Sequence, residues 1–318
     1  MRVVFLGNAK WSVPSLEAIA RSSHDLALVV TRTPRLGGRG NRPLPTAVSE
    51  AARRLDLPLR EVATVKSGPG FEVIADAAPD ILAVVAYGEI VPKTVLALPS
   101  IAPVNAHFSL LPQLRGAAPV QHAILRGLET TGVTTIRMDE GMDTGPILLQ
   151  TEEPVGPEDD AGSLGDRLAV IGGRLLVQTL DGLGAGSISD RAQDQDSATL
   201  APKLKPEDRI VDWSRPAEEI LRQVRALAPE PAATTTFRGR YLKIHRASRG
   251  AGPVSSPGRL ALTEGRPAVG AGDGVPVVLE EVQLEGGRRM PGAAFVRGHP
   301  PGIDERLGAP RGGPGAPG

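Results

Sequence analysis

Over the first 180 residues, short apolar runs alternate with segments of helical spacing, and this alternation restricts the fold more than any other feature. Residues 3–6 are apolar and end at Gly7, the pattern of a buried strand running into a turn. Helical apolar spacing follows at 13–20, a strand at 26–30, helices at 47–55 and 71–77, and a strand at 81–85. A short helix at 92–98 leads into an extended segment at 104–108, a helix at 118–125, and last strands at 133–138 and 146–151. The spacing predicts the longest helix over 163–180, with Ser163 as N-cap and Leu164, Leu168, Ile171, Leu175 and Leu176 on one side. Such alternation predicts an α/β fold, a Rossmann-like and mainly parallel sheet with helices on both faces.

From Gly182 to Pro206 the chain is rich in Gly, Ser, Asp and Gln and has little apolar periodicity. Residues 188–206 read as an interdomain linker. Beyond them, 217–227 predict a helix, and 234–237, 241–247, 258–262 and 275–284 predict short strands, spaced for a small β-barrel. A chain of 318 residues exceeds the size at which one hydrophobic core stops growing, so two domains are expected. The division is an N-terminal α/β domain at 1–187, the linker, a C-terminal domain at 207–300, and a Gly/Pro-rich tail at 301–318 expected to be disordered.

Several function classes drop out. The chain has no cysteine, which removes disulfides, Cys-ligated zinc, iron–sulfur clusters and thiol nucleophiles. The five histidines form no close pair of metal ligands and H-E-x-x-H is absent, so no metal is expected. The first strand's turn, FLGNAKW, lacks G-x-G-x-x-G, and neither a P-loop nor G-x-S-x-G occurs. The apolar start is too short for a signal peptide and no run approaches a membrane span. A cytoplasmic protein with no membrane partner is expected. Formal net charge is zero, which disfavours a uniformly basic nucleic-acid coat while leaving a local basic patch open.

One constellation carries chemistry. Asn105 and His107 stand one residue apart in an extended segment, so both side chains point to the same side. They fall at the carboxyl end of a strand, where open α/β sheets build their sites. Asp143 lies in DEGMDTG between two strands, in a loop able to bring a carboxylate back to them. Taken singly, Asn105 also suits a turn cap, His107 a core position and Asp143 a solvated turn.

The segment PVNAHFSLLPQLRGAAPVQHAI at 103–124 resembles the signature region of the 10-formyltetrahydrofolate-dependent formyltransferases, where N-x-H-x-S-L-L-P precedes an R-G-A-P-like stretch. VVAYGEIVP at 84–92, TTGVTTIRMDEGMDTGPIL at 130–148 and DRIVDWSRPAEEILRQVRAL at 208–227 extend the likeness towards the members that formylate methionyl-tRNA. So does GDGVPVVLEEVQLEGGRRMPGAAFVRG at 272–298. The resemblance implies formyl transfer from 10-formyltetrahydrofolate to the amino group of initiator methionyl-tRNA, for translation initiation, by a monomer. It makes 1–187 the catalytic domain and gives 207–300 an OB-like, tRNA-binding fold.

By the same resemblance, Asn105 and a protonated His107 would donate to the oxygen of a tetrahedral intermediate, and Asp143 would orient His107 and manage a proton. Ser109, Leu110, Leu111 and Pro112 match the folate-contacting S-L-L-P, and Tyr87 with Gly88 would form another wall of that site. The segment RTPRLGGRGNRPLP at 32–45 aligns with an insertion that enters the tRNA acceptor end, which makes Arg35, Arg39 and Arg42 tRNA contacts; a solvated surface loop is the alternative. Lys203, Lys205, Arg222 and Arg225 could continue a basic track. The chain departs from the pattern with GNAKW in place of G-T-P-x-F, with Asn41 and Arg42 after G-R-G, and with APEP at 228–231. A formyltransferase acting on an amino sugar nucleotide shares the same three residues, and a tRNA-binding protein without turnover is the alternative of a different class.

Overall fold

The computed structural model describes residues 1–308 except 38–41 and 253–255, with backbone alone at 35–37 and 42. In chain order the elements are β1 (Arg2–Gly7), α1 (Val13–Ala20), β2 (Asp25–Arg32), β3 (Arg35–Gly37), β4 (Arg42–Leu44), α2 (Ala47–Arg54), β5 (Leu59–Val62), α3 (Pro69–Asp76) and β6 (Ile81–Val85). They continue as α4 (Lys93–Leu96), β7 (Ala102–His107), α5 (Pro119–Leu125), β8 (Thr130–Arg137), β9 (Ile147–Pro154) and α6 (Ala161–Gly184). The remainder holds α7 (Ala217–Leu227), β10 (Ala233–Phe237), β11 (Arg240–Arg249), β12 (Leu260–Thr263), β13 (Arg266–Gly270), β14 (Pro276–Leu284), β15 (Met290–Pro291) and α8 (Gly292–Gly298).

Two compact units emerge. Met1–Pro119, Glu129–Val155 and Leu164–Lys203 form the first, and Val120–Leu128, Gly156–Ser163 and the chain from Leu204 form the second. The first unit holds a seven-stranded sheet in the order β5-β2-β1-β6-β7-β8-β9. Strands β5 to β7 of that order run parallel, while β8 pairs antiparallel with both β7 and β9. The apolar runs are continuous because both faces are covered. Val4, Leu6, Leu28, Val30, Leu82 and Val84 share one buried cluster, and their neighbours Val3, Phe5, Val29, Ile81 and Ala83 are equally buried on the other face. Each Val, Leu, Ile or Phe among them contributes roughly 1.5–3 kcal/mol of burial.

Local signals set the helices. Pro14 occupies the first turn of α1, and Thr46 caps α2 by accepting from the Ser49 amide at 3.0 Å. The long helix starts two residues before the predicted cap. Asp160 receives the Ser163 amide at 2.8 Å while the Ser163 hydroxyl receives the Asp160 amide at 3.1 Å, so Ser163 is the answering partner and not the N-cap.

The second unit carries a six-stranded antiparallel sheet in the order β10-β11-β14-β13-β12, with β15 beside β14. The I-V-D-W-S segment belongs to its core. Val211 and Trp213 are buried in the cluster that includes Val224, Phe237, Leu279 and Phe295, and the Trp213 indole donates to Thr235 Oγ1 at 3.0 Å. Asp212 folds the turn by accepting from the Ser214 amide and hydroxyl.

Two expected boundaries move. Most of the segment read as a linker, up to Lys203, belongs to the first unit and is laid against it by main-chain pairs at Arg191 and Leu200. The expected disordered tail also begins later. Leu307 is buried in the second unit's cluster, Glu305 pairs with Arg238 at 2.7 Å, and Arg306 bridges Arg259; residues 309–318 lie outside the described residues.

Candidate functional site

Strand β7 sits between parallel β6 and antiparallel β8, with Asn105 opposite Val84 on one side and Ile136 on the other. Alternation along β7 sends Asn105 and His107 to one face, and the β8–β9 loop folds back across that face. Asp143 Oδ1 accepts from Asn105 Nδ2 at 3.3 Å, and Asp143 Oδ2 lies 3.5 Å from His107 Nδ1. The three residues named from the sequence therefore come together. The His107 side chain is only 6% exposed and that of Asp143 16%.

The other ring nitrogen of His107 is also engaged. Its Nε2 stands 2.9 Å from the Leu114 carbonyl oxygen. A carbonyl only accepts, so Nε2 carries hydrogen in this contact and Nδ1 faces the carboxylate. Both ring nitrogens of His107 thus face acceptors of the protein itself in this structure. Asn105 is different: one amide hydrogen is directed at Asp143, and no second partner is recorded for it among the described residues.

The loop at 112–118 supplies two further groups that the sequence did not announce. Besides the Leu114 carbonyl, the Gly116 amide donates to Asp143 Oδ2 at 2.8 Å. Gly116 has φ +123°, and a Cβ there would stand 2.7 Å from the Ala201 carbonyl oxygen, so only glycine fits. Leu114 and Asp143 are themselves left-handed, at φ +61° and +57°. Such backbone costs an ordinary residue on the order of 1 kcal/mol and persists where its surroundings over-determine it.

The surroundings include Arg115 and Gln193, both buried. Arg115 donates through Nε and Nη2 to Gln193 Oε1, at 3.0 and 2.7 Å, and through Nη1 to Gln195 Oε1 at 2.9 Å. Gln193 Nε2 in turn donates to the carbonyls of Asp143 and Gly145, at 2.8 and 2.7 Å. Nothing in the polar stretch around Gln193 distinguishes it by type or spacing.

The proposed folate wall is only partly open. Ser109 is fully buried and donates to the Gln113 carbonyl at 2.6 Å, and Leu111 is buried with Ile136 and Ile147. Leu110 and Pro112 keep partial exposure. Tyr87 turns into the apolar cluster of the first unit, so its ring is core and not an open wall. Burial, with the Glu89 charge behind it, pushes the Tyr87 phenol up to about 12, and its hydroxyl has no partner among the described residues. Gly88 is exposed with φ +78°.

The first turn shows how the GNAKW departure is accommodated. Asn8 accepts from Thr31 Oγ1 and the Arg32 amide, both at 2.8 Å, and donates to the Tyr87 carbonyl, tying together the ends of β1, β2 and β6. Trp11 and Lys10 both donate to Asp166 Oδ1 at 2.8 Å. The Trp11 ring meets Phe108 edge-on at 6.4 Å and lies over Gly165, where a Cβ would come within 2.1 Å of it.

Of the expected tRNA contacts, Arg39 and the side chains of Arg35 and Arg42 lie outside the described residues. The backbones of Arg35 and Arg42 belong to the β3–β4 ribbon, paired with Leu44 and Gly37. In the second unit, Arg222 and Arg225 both reach Glu218, at 3.2 and 3.6 Å, while Lys205 is exposed; Lys203 is exposed in the first. No group of three or more potential metal ligands occurs among the described residues, and no described helix is long and apolar enough to cross a membrane.

Residues 1–180 match the formyl transferase family, and residues 203–300 match the formyl transferase C-terminal domain. The chain belongs to the formyl transferase family. A methionyl-tRNA formyltransferase from Koribacter versatilis (strain Ellin345) is 44% identical over 309 residues, which cover 97% of this chain and 99% of that protein. The solved structure of methionyl-tRNA formyltransferase from Clostridium thermocellum superposes with TM-score 0.56 at 18% identity, covering 78% of this chain and 93% of that one. An N-formyltransferase from Helicobacter canadensis, solved with folinic acid and dTDP-3-aminofucose, gives TM-score 0.65 at 18% identity over 88% and 98% of the two chains. At that identity the two structures share the formyl transferase fold with this chain and do not separate one acceptor from another.

Proposed function

We propose that this formyl transferase moves the formyl group of 10-formyltetrahydrofolate onto the α-amino group of initiator methionyl-tRNA, acting as a cytoplasmic monomer. The observation that carries the acceptor is 44% identity, over nearly the whole of both chains, to a protein named methionyl-tRNA formyltransferase. The chemistry is carried by the meeting of Asn105, His107 and Asp143 at the end of β7.

In the reaction the amine nitrogen bonds to the formyl carbon, the bond from that carbon to the folate N10 breaks, the amine loses a proton and N10 gains one. Asn105 is the donor available to the oxygen that becomes negative, since no second partner is recorded for its amide. One such donor is worth roughly 10²–10³ in rate. Asp143 and His107 act as one proton store, taking the proton released by the amine and returning it to N10. General acid–base help of this kind contributes about 10²–10⁴-fold. The Leu114 carbonyl holds the ring in the tautomer this requires. Leu110 and Pro112 are the members of S-L-L-P with surface to offer a folate ring, which favours their use over Ser109, Leu111 and Tyr87 as direct contacts.

The test is acceptor choice. Purified protein given 10-formyltetrahydrofolate is expected to formylate methionyl-tRNA and to leave an amino sugar nucleotide untouched. The reverse preference would replace the acceptor while keeping the site, and absence of turnover with both would leave only a binding protein. Sedimentation of the free protein checks the monomer.

A further inference from the structure

We propose that Gln193 is a positioning residue for the formyl transfer, and that the polar segment around it is a strap holding both halves of the site in register. The inference rests on the reading of Asp143 and His107 as the proton-handling pair.

The geometry is specific to this side chain. Four hydrogen bonds meet at one carboxamide: its oxygen takes two from Arg115, and its nitrogen gives one each to the carbonyls of Asp143 and Gly145. All are between 2.7 and 3.0 Å, and Gln193 is 7% exposed. The amide cannot be turned over, since that would set its oxygen against two carbonyls and its NH₂ against a guanidinium. Gln193 therefore links the backbone of the loop carrying Asp143 to the side chain of Arg115, which lies between the two residues that touch the pair, Leu114 and Gly116.

The same strap grips the 112–118 loop along its backbone. Thr199 Oγ1 accepts from the Leu114 amide at 2.9 Å, the Thr199 amide donates to the Pro112 carbonyl at 3.3 Å, and Thr199 O accepts from the Arg115 amide at 2.8 Å. Ala201 then exchanges hydrogen bonds with Arg115 and Ala118, at 2.7 and 3.1 Å. On the other side Arg191 pairs with Ile147, the first residue of β9. The carbonyl that fixes His107 and the carboxylate that faces it come from different loops, both left-handed at the critical residue. Gln193 joins the two loops beside the direct bond from the Gly116 amide to Asp143. Reacting groups displaced by about 1 Å can lose 10²-fold in rate, which sets the scale expected when this link is cut.

Gln193→Ala cuts it outright, and Gln193→Glu keeps an acceptor for Arg115 while removing both donors to the Asp143 loop. Each is measured for kcat and KM with 10-formyltetrahydrofolate and methionyl-tRNA, alone and combined with Asp143→Asn. Both variants are expected to lose about 10²-fold in kcat with both KM values little changed. In the Asp143→Asn background the same substitutions should cost less than about threefold, because the group they position is gone. An equal fold-loss in both backgrounds, or a Gln193→Glu protein with normal kcat, overturns the positioning role. Near-normal turnover of Asp143→Asn by itself overturns the reading beneath it, and is recognised without reference to Gln193.

Discussion

Asp143→Asn tests the centre of the site with little change of volume. The carboxylate has two oxygens and both are spoken for: Oδ2 takes the Gly116 amide at 2.8 Å and faces His107 Nδ1 at 3.5 Å, while Oδ1 takes Asn105 Nδ2 at 3.3 Å. An amide offers one acceptor and one NH₂. Turned so that its oxygen keeps the Gly116 amide, it sets NH₂ against the NH₂ of Asn105, and turned the other way it sets NH₂ against the Gly116 N–H. The first conflict is relieved only if the Asn105 amide turns over, which redirects the NH₂ assigned to the substrate oxygen, and the second is not relieved. Hydrogen bonds to a charged group are worth about 1.5–3 kcal/mol, and the proton store is lost with the charge. The two effects overlap on the same reaction step, so kcat should fall by about 10²–10⁴-fold. The protein should still fold, with a lowered melting temperature, since the loop is also held through the Asp143 and Gly145 carbonyls. The assay is the appearance of formylmethionyl-tRNA in a single turnover, with a thermal melt beside it. A single-turnover rate within about threefold of the parent, in a protein that remains folded, would remove Asp143 from the mechanism.

Other perturbations reach other parts of the molecule. Trp213→Ala should destabilise the second unit by about 3–5 kcal/mol, read in denaturant unfolding, because it empties a buried site and orphans Thr235 Oγ1. Tyr87→Phe removes a buried hydroxyl without a partner, so the melting temperature should hold or rise and KM for the folate should not move. In the parent, the raised Tyr87 phenol stays neutral while an unfolded tyrosine ionises near 10, so its contribution to stability is complete below that pH. It is lost as pH rises towards about 12, and the Tyr87→Phe protein should lack this alkaline loss in melts at successive pH values. Arg39→Ala with Arg42→Ala should weaken binding of methionyl-tRNA and flatten its salt dependence, and an unchanged slope would return the 32–45 segment to an ordinary surface loop.

The parts of the fold legible in the sequence are those whose side chains alternate between two buried faces or line one helix face. Strands β1 and β6 and helices α1 and α7 lie where the apolar runs and spacing place them, because burial is what wrote those patterns. Strand β5 reads LREV and holds only Val62 in the core, so it offers too little alternation to stand out. Strand β13 begins RP, and the proline argues against a strand although residues 268–270 pair with β14. The long helix was legible to its middle, but its start is decided by Asp160, one of two adjacent aspartates that the spacing does not separate.

The site divides along the same physical line. Asn105 and His107 could be paired from period two alone, since a strand fixes where alternate side chains point. Their meeting with Asp143 depends on a loop path, which its place between two strands allows and the resemblance selects. The remaining groups were hidden because the atoms that matter are backbone: the Leu114 carbonyl and the Gly116 amide carry no residue type to recognise. Gln193 was hidden for the complementary reason. A segment of Asp, Gln, Ser and Ala reads as solvated when judged by apolar periodicity, yet a buried glutamine whose four bonds go to carbonyls and a guanidinium is as interior as any leucine. Polarity in a sequence thus marks either solvent or a fully satisfied internal network. The sequence leaves those two outcomes equal, and here the network is what lets one histidine face an acceptor on each side.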